Sequence, residues 1–65
     1  MKPRFYLQAD DGRFATYDML KGPSLTAIKA LSYSWNSESE AQAQLPLYAA
    51  TLRVALRVVS NLSLN

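Results

Sequence analysis

The stretch FYLQADDGRFATY, residues 5–17, constrains the fold more than any other part of the chain. Phe5, Leu7 and Ala9 alternate with Tyr6 and Gln8, which is the period of a strand with two unlike faces. A second alternating run follows residues 10–12, which are Asp-Asp-Gly. Acidic and glycine residues between two alternating runs are typical of a hairpin turn, so the stretch predicts a β-hairpin.

The length of the turn decides which side chains share a face. A two-residue turn at Asp11-Gly12 would place Asp18 opposite Phe5 on the buried face, and a buried unpaired carboxylate is costly. We therefore predict a three-residue loop, Asp10-Asp11-Gly12, with Gly12 in the left-handed conformation of a bulge. The predicted inner face carries Phe5, Leu7, Ala9, Ala15, Tyr17 and Met19. The predicted outer face carries Arg4, Tyr6, Gln8, Phe14, Thr16 and Asp18.

A connection and a third strand are predicted next. Gly22-Pro23 indicates that residues 20–26 form the connection, because this dipeptide interrupts regular structure. Beyond it, Leu31, Tyr33 and Trp35 alternate with polar residues, which predicts a strand that places Tyr33 and Trp35 in the core. A helix that begins at Ser24 is the competing interpretation.

One helix is predicted from Ser37 onward. Ser37 is a suitable N-cap, and Glu40 three residues later completes a capping box. Pro46 falls inside this helix and removes a backbone hydrogen bond, so we expect a kink or a short break near Leu45. The apolar stripe of the helix consists of Ala41, Leu45, Tyr48, Ala49 and Leu52.

The C-terminal residues allow two interpretations. Residues 54–60 continue the helical period, but Leu56, Val58, Leu62 and Leu64 also alternate as a strand does. We prefer the strand, because it gives Leu62 and Leu64 a place in the core and because the segment is rich in β-branched residues. The predicted fold is a single α+β domain over residues 1–65, in the order β-β-β-α-β. A small, antiparallel-dominated sheet carries one Pro-kinked helix on one face.

Residue composition argues against most kinds of catalysis. The chain has no cysteine and no histidine, so disulfides, thiolate metal sites and histidine acid–base chemistry are excluded. Asp10, Asp11 and Asp18 suit turns and lack the spacing of a calcium loop. We predict no enzyme activity, no cofactor and no metal. Without an apolar segment after Lys2 and Arg4, and without a run long enough to cross a membrane, the sequence predicts a cytoplasmic protein.

The outer face of the hairpin is the predicted binding surface. One helix covers one side of the sheet, so Tyr6 and Phe14 are expected to stand exposed on the other side. The predicted partner-binding residues are Arg4, Tyr6, Gln8, Phe14 and Thr16. Tyr, Phe and Arg are frequent in protein interfaces, so the leading hypothesis is a protein-binding module.

Three other interpretations of this surface stay open. Aromatic rings beside arginine also suit a single-stranded nucleic-acid-binding module. The same face would serve a homo-oligomer whose sheets pack together. The two rings would otherwise simply pair across the strands and stabilise the hairpin.

The stretch SWNSESEAQ after the DGRF hairpin resembles a pattern of small phage and bacterial proteins. In that pattern a strand ends in Trp or Phe, and Ser with acidic residues then opens a helix. Short, cysteine-free proteins of this type include phage-encoded inhibitors of host defence, such as anti-CRISPR proteins. The resemblance implies a phage-type inhibitor that binds a larger bacterial host complex, and it assigns a role to no single residue.

Overall fold

The computed structural model describes residues 2–62, which form an α+β fold. The elements are β1 (Phe5–Ala9), β2 (Phe14–Asp18), β3 (Gly22–Thr26), a 3-10 helix (Lys29–Leu31), α1 (Glu38–Leu52) and β4 (Leu56–Ser60). The four strands form one antiparallel sheet in the order β3-β2-β1-β4, and α1 packs on one face of it. The predicted fold class and the order β-β-β-α-β are confirmed.

The β1–β2 hairpin has the predicted three-residue loop. Gln8 lies opposite Phe14, and the Ala9 N–H donates to the Arg13 carbonyl over 2.8 Å. Gly12 has a φ of 92°, which is the left-handed conformation that this loop requires. Asp18 is kept out of the core, and its carboxylate accepts hydrogen bonds from the backbone of the β2–β3 turn.

The third strand lies in a different segment from the predicted one. Residues 22–26, interpreted as a connection, form β3 and pair along their whole length with β2. The strand tolerates Pro23 because β3 is at the edge of the sheet, where a missing N–H leaves no partner unsatisfied. The predicted strand over Leu31, Tyr33 and Trp35 is wrong, because this stretch holds the 3-10 helix and one isolated bridge.

The segment that follows β3, residues 27–36, returns across the sheet to β1; we call it the crossing segment. β1 and β2 pair at Gln8 and Phe14, next to their turn, and then separate. The crossing segment enters this gap. The Tyr33 N–H donates to the Ala15 carbonyl over 3.0 Å, and Trp35 exchanges two backbone hydrogen bonds with Phe5. The residues predicted as the third strand are thus an irregular segment inserted between β1 and β2.

Helix α1 begins where the sequence predicts. Ser37 is the N-cap, and its Oγ accepts the Glu40 N–H over 3.2 Å. The helix runs from Glu38 to Leu52 without a break at Pro46, so of the two outcomes predicted near Leu45, a kink or a short break, the break is absent. Pro46 is exposed, so the carbonyl that loses its partner lies on the solvent side of the helix. Arg53 ends the helix in the left-handed conformation, with a φ of 57°.

The core lies between α1 and the inner face of the sheet. Its buried members are Leu7, Ala15, Ala41 and Tyr48. Packed against them are Phe5, Trp35, Leu45, Leu52, Leu56 and Val58. The strand interpretation of the C-terminal segment is confirmed by β4, which pairs with β1 over five positions.

Five residues predicted for the inner face or the core are exposed instead: Tyr17, Met19, Leu31, Tyr33 and Leu62. Tyr17 and Met19 lie at or beyond the end of β2, next to the β2–β3 turn, and Leu62 follows the end of β4. Tyr33 lies in the crossing segment rather than in a strand that is covered by the helix. Leu64, which was also predicted for the core, lies outside the described residues.

Candidate functional site

The predicted binding face brings its two aromatic rings together but does not leave both exposed. The rings of Tyr6 and Phe14 meet edge to face, with centroids 5.9 Å apart. Phe14, however, is only 8% exposed. The expectation that both rings stand on an open face is wrong for Phe14.

The crossing segment covers this outer face. The Lys29 Nζ lies 5.5 Å from the centroid of the Tyr6 ring, which is within the range of a cation–π contact. The Thr16 hydroxyl donates to the Leu31 carbonyl over 2.8 Å. The 3-10 helix is thereby held over the side of the sheet opposite α1.

Arg4 fixes the crossing segment to β1. Its guanidinium donates to the Ser34 hydroxyl over 2.8 Å and 3.0 Å, and also to the Asn36 side-chain carbonyl. Its backbone N–H donates to the Asn61 side chain over 2.9 Å. The guanidinium and the backbone N–H of Arg4 thus donate to other residues of the same chain, which is a structural role.

Gln8 ties the hairpin turn to β4. Its amide donates to the Gly12 carbonyl over 3.2 Å, and its carbonyl accepts from Arg57 over 3.3 Å. Arg57 also lies 3.6 Å from the carboxylate of Asp10 in an exposed ion pair. All five predicted residues therefore lie on one face, and each has a contact within the chain.

A second aromatic surface lies on the inner face, at the end of the sheet near β3. It is a cleft of about 360 Å³, which we call the aromatic cleft. It is lined by Tyr17, Pro23, Tyr33, Trp35, Gln44, Leu47 and Tyr48. β2 and β3 supply one wall, the crossing segment supplies Tyr33 and Trp35, and α1 supplies the other wall.

The rings of the cleft form a connected series. The centroids of Tyr33 and Trp35 are 4.9 Å apart, and those of Trp35 and Tyr48 are 5.8 Å apart with the planes near perpendicular. Tyr48 is buried at the base, whereas Tyr17 and Tyr33 are 56% and 48% exposed. The cleft is therefore anchored in the core and open at its rim.

The phenol of Tyr48 dominates the electrostatics at the base of the cleft. Burial raises the pKa of Tyr48 above its usual value of 10.0, and the neighbouring phenols of Tyr33 and Tyr17 add to the effect. Tyr48 is thus protonated at neutral pH. Among residues 2–62, no charged side chain is part of the lining.

Tyr17, Tyr33 and Trp35 lie on the inner face, as their alternation predicts, but that face is not fully covered. A helix is about 10 Å across and strands lie about 4.8 Å apart, so one helix covers roughly two strands of four. The width of one helix relative to four strands therefore indicates, from the predicted elements alone, that part of the inner face stays open.

Among residues 2–62, no group of three or more acidic, histidine or cysteine side chains is placed to hold a metal ion. No helix within the described part of the chain is long and apolar enough to cross a membrane. No protein-family model, no curated protein and no solved structure matches this chain.

Proposed function

We propose that this chain is a non-catalytic protein-binding module whose contact surface is the aromatic cleft. The observation that carries the proposal is the half-exposure of Tyr17 and Tyr33 around a cleft whose base is Trp35 and Tyr48. Tyr and Trp supply much of the binding energy in protein interfaces, because they combine large apolar area with a polar tip.

The apolar surface continues from the cleft onto helix α1. Leu47 lines the cleft and is 57% exposed. From Ala41 to Leu52 the helix has no charged residue, and Ala43, Pro46 and Ala50 are exposed beside Leu47. Beyond the acidic first turn, three turns of helix without a charged residue are unusual at a free surface, and contiguous exposed apolar area typically marks an interaction site.

The biological role we propose is that of a small cytoplasmic inhibitor that occupies a surface of a larger bacterial host complex. The phage-type, anti-CRISPR resemblance of the sequence is the reason for choosing this role. The cleft supplies a contact surface of the kind that such an inhibitor needs, and it calls for no catalytic group.

The nucleic-acid alternative has less support in the geometry. It required open stacking rings beside free arginine, but Phe14 is buried and Arg4 is hydrogen-bonded to the crossing segment. Among the described residues, the lining of the aromatic cleft includes neither lysine nor arginine, the side chains that supply the electrostatic attraction to phosphates. The oligomer alternative, which packed Tyr6 and Phe14 between copies, also loses the exposed Phe14 that it used.

The test is affinity capture from bacterial lysate with a matched pair of variants. Leu47 and Ile28 are both 57% exposed, but only Leu47 lines the cleft. We expect wild type and Ile28→Ser to retain the same partner, and Leu47→Ser and Tyr33→Ala to lose it. If every protein captured by wild type is also captured by both cleft variants, the cleft is not the contact surface.

A further inference from the structure

We propose that the aromatic cleft recognises a short proline-rich segment of its partner in the extended polyproline II conformation. This inference rests on the proposed function and specifies the chemistry of the partner. It follows from the aromatic lining of the cleft, its uncharged polar groups and the proline in the neighbouring strand.

The shape of the cleft suits a short extended segment. Its volume of about 360 Å³ is near the lower end of the range for ligand clefts, which is about 300–1,000 Å³. An amphipathic helix would need a groove that spans at least two of its turns. Aromatic-lined grooves are the usual surface for polyproline II segments, which are already extended before they bind.

The polar groups of the cleft are uncharged and unoccupied. Within residues 2–62, no side-chain hydrogen bond engages the phenols of Tyr17, Tyr33 and Tyr48 or the indole N–H of Trp35. Tyrosine and tryptophan in such a position offer hydrogen-bond donors to a ligand. The absence of a charged lining residue favours a ligand that brings no formal charge into the cleft.

A proline-rich backbone matches these donors. Prolyl residues have no N–H, and the carbonyls of polyproline II make no internal hydrogen bonds. Such a segment presents acceptors to the cleft without a backbone donor that would need an acceptor there. Its rings meanwhile pack on the faces of the aromatic side chains.

The alternative mode of peptide binding, addition of a strand to the sheet, is disfavoured beside the cleft. β3 is the neighbouring edge strand, and Pro23 is its second residue. Because Pro23 lacks an N–H, the edge of β3 does not offer a continuous hydrogen-bonding ladder to a visiting strand. An extended ligand therefore gains more from the side chains of the cleft than from this edge.

The experiment uses the single tryptophan of the chain as its probe. Trp35 lines the cleft, so its fluorescence reports on occupancy directly. A capped proline oligomer and a capped Gly-Ser oligomer of equal length are titrated into the intact protein. We expect a saturable change in Trp35 fluorescence with the proline oligomer and none with the Gly-Ser oligomer.

Three variants separate ring contacts from hydrogen bonds. Tyr33→Ala removes an anchor and should weaken binding of the proline oligomer by roughly thirtyfold. Tyr33→Phe keeps the ring and removes only the phenol, so a smaller loss of roughly fivefold is expected. Ile28→Ser, which lies outside the cleft, should bind as wild type does.

Two results would overturn the inference while the proposed function stands. One is the absence of any saturable response to the proline oligomer, although Leu47→Ser and Tyr33→Ala still lose their captured partner. The other is an equal response to the Gly-Ser oligomer or to a single-stranded DNA oligomer. If cleft substitutions affect neither the oligomer nor lysate capture, both proposals fail together.

Discussion

Phe14 and Tyr17 belong to the same five-residue strand, yet their surroundings are opposite to what a one-helix fold suggests. Phe14 points away from α1 and is 8% exposed, whereas Tyr17 points to the helix side and is 56% exposed. The face without a helix is covered by the irregular crossing segment. The face with a helix stays partly open because the helix is narrower than the sheet. Burial in a small domain therefore depends on where each connection runs as much as on where its helix lies.

The largest expected effect on stability is that of replacing Trp35, which contacts β1 through its backbone and the helix side of the sheet through its ring. Trp35 bridges to Phe5 through its backbone and packs against Tyr33 and Tyr48 through its ring. We expect Trp35→Ala to lower the free energy of unfolding by roughly 3–5 kcal/mol, which is comparable to the whole stability of so small a domain. Thermal unfolding followed by circular dichroism measures this, with Trp35→Phe as the milder control. A Tm within about 4 °C of wild type would contradict the prediction.

The comparison within β2 can be tested by two matched truncations. Phe14→Ala should lower the free energy of unfolding by about 3 kcal/mol, because it leaves a cavity under the crossing segment. Tyr17→Ala should change it by only about 0.5 kcal/mol, because Tyr17 is 56% exposed. Chemical denaturation of both variants gives the two values. Equal losses would mean that the two faces of β2 are equally covered.

The attachment of the crossing segment can be loosened without touching an aromatic ring. Arg4→Met removes the guanidinium that holds Ser34 and Asn36, and we expect a loss of about 1–2 kcal/mol. Hydrogen exchange at the Tyr33 and Trp35 amides should then accelerate more than exchange within α1. Arg13→Met is the control, because the guanidinium of Arg13 pairs with Asp11 in the exposed turn, away from the crossing segment. Similar exchange rates in both variants would show that Arg4 does not anchor this segment.

The smallest expected effect concerns alkaline pH. Because burial raises the pKa of Tyr48, the folded chain holds this proton more tightly than the unfolded chain does. The resulting stabilisation is fully present below the unfolded value of 10.0 and is lost as the pH rises through the folded pKa. Tyr48→Phe should therefore show a shallower fall in Tm above about pH 10 than wild type. Parallel profiles for the two proteins would refute a buried, shifted phenol at the base of the cleft.

Alternation in the sequence was sufficient to predict the register of the hairpin and the faces of β1 and β2. It worked because a one-residue slip would have buried Asp18, so one register was much more favourable. Ser37 was equally predictable, since capping depends on local chemistry alone.

The third strand was not predictable in the same way. Gly22 and Pro23 are typical of turns, and only the position of β3 at the sheet edge makes them acceptable in a strand. The alternation of Tyr33 and Trp35 correctly predicts that both side chains lie on the inner face. The crossing segment, however, contacts two separated strands, β1 and β2, rather than one continuous neighbouring strand. Edge position and strand separation are properties of the assembled sheet, and no local pattern encodes them.

The candidate site was misplaced for the same reason. Alternation places Tyr6 and Phe14 on the correct face, but it carries no information about the path of the connection after β3, which covers them. Exposure of Tyr17 and Tyr33 depends on the path of that connection and on the width of the helix. Neither quantity follows from periodicity.

The separation of β1 and β2 beyond Gln8 and Phe14 has a consequence for how the molecule folds. The turn end of the hairpin closes over a few residues, as in the contact between Gln8 and Gly12. At the other end, Arg4 contacts Ser34 and Asn61, which are 30 and 57 positions away. Closing the loop from Arg4 to Asn61 costs only about 0.6 kcal/mol more than closing the loop from Arg4 to Ser34. Both distant segments can therefore reach β1 at nearly equal entropic cost, and contacts of this non-local kind slow folding relative to local ones.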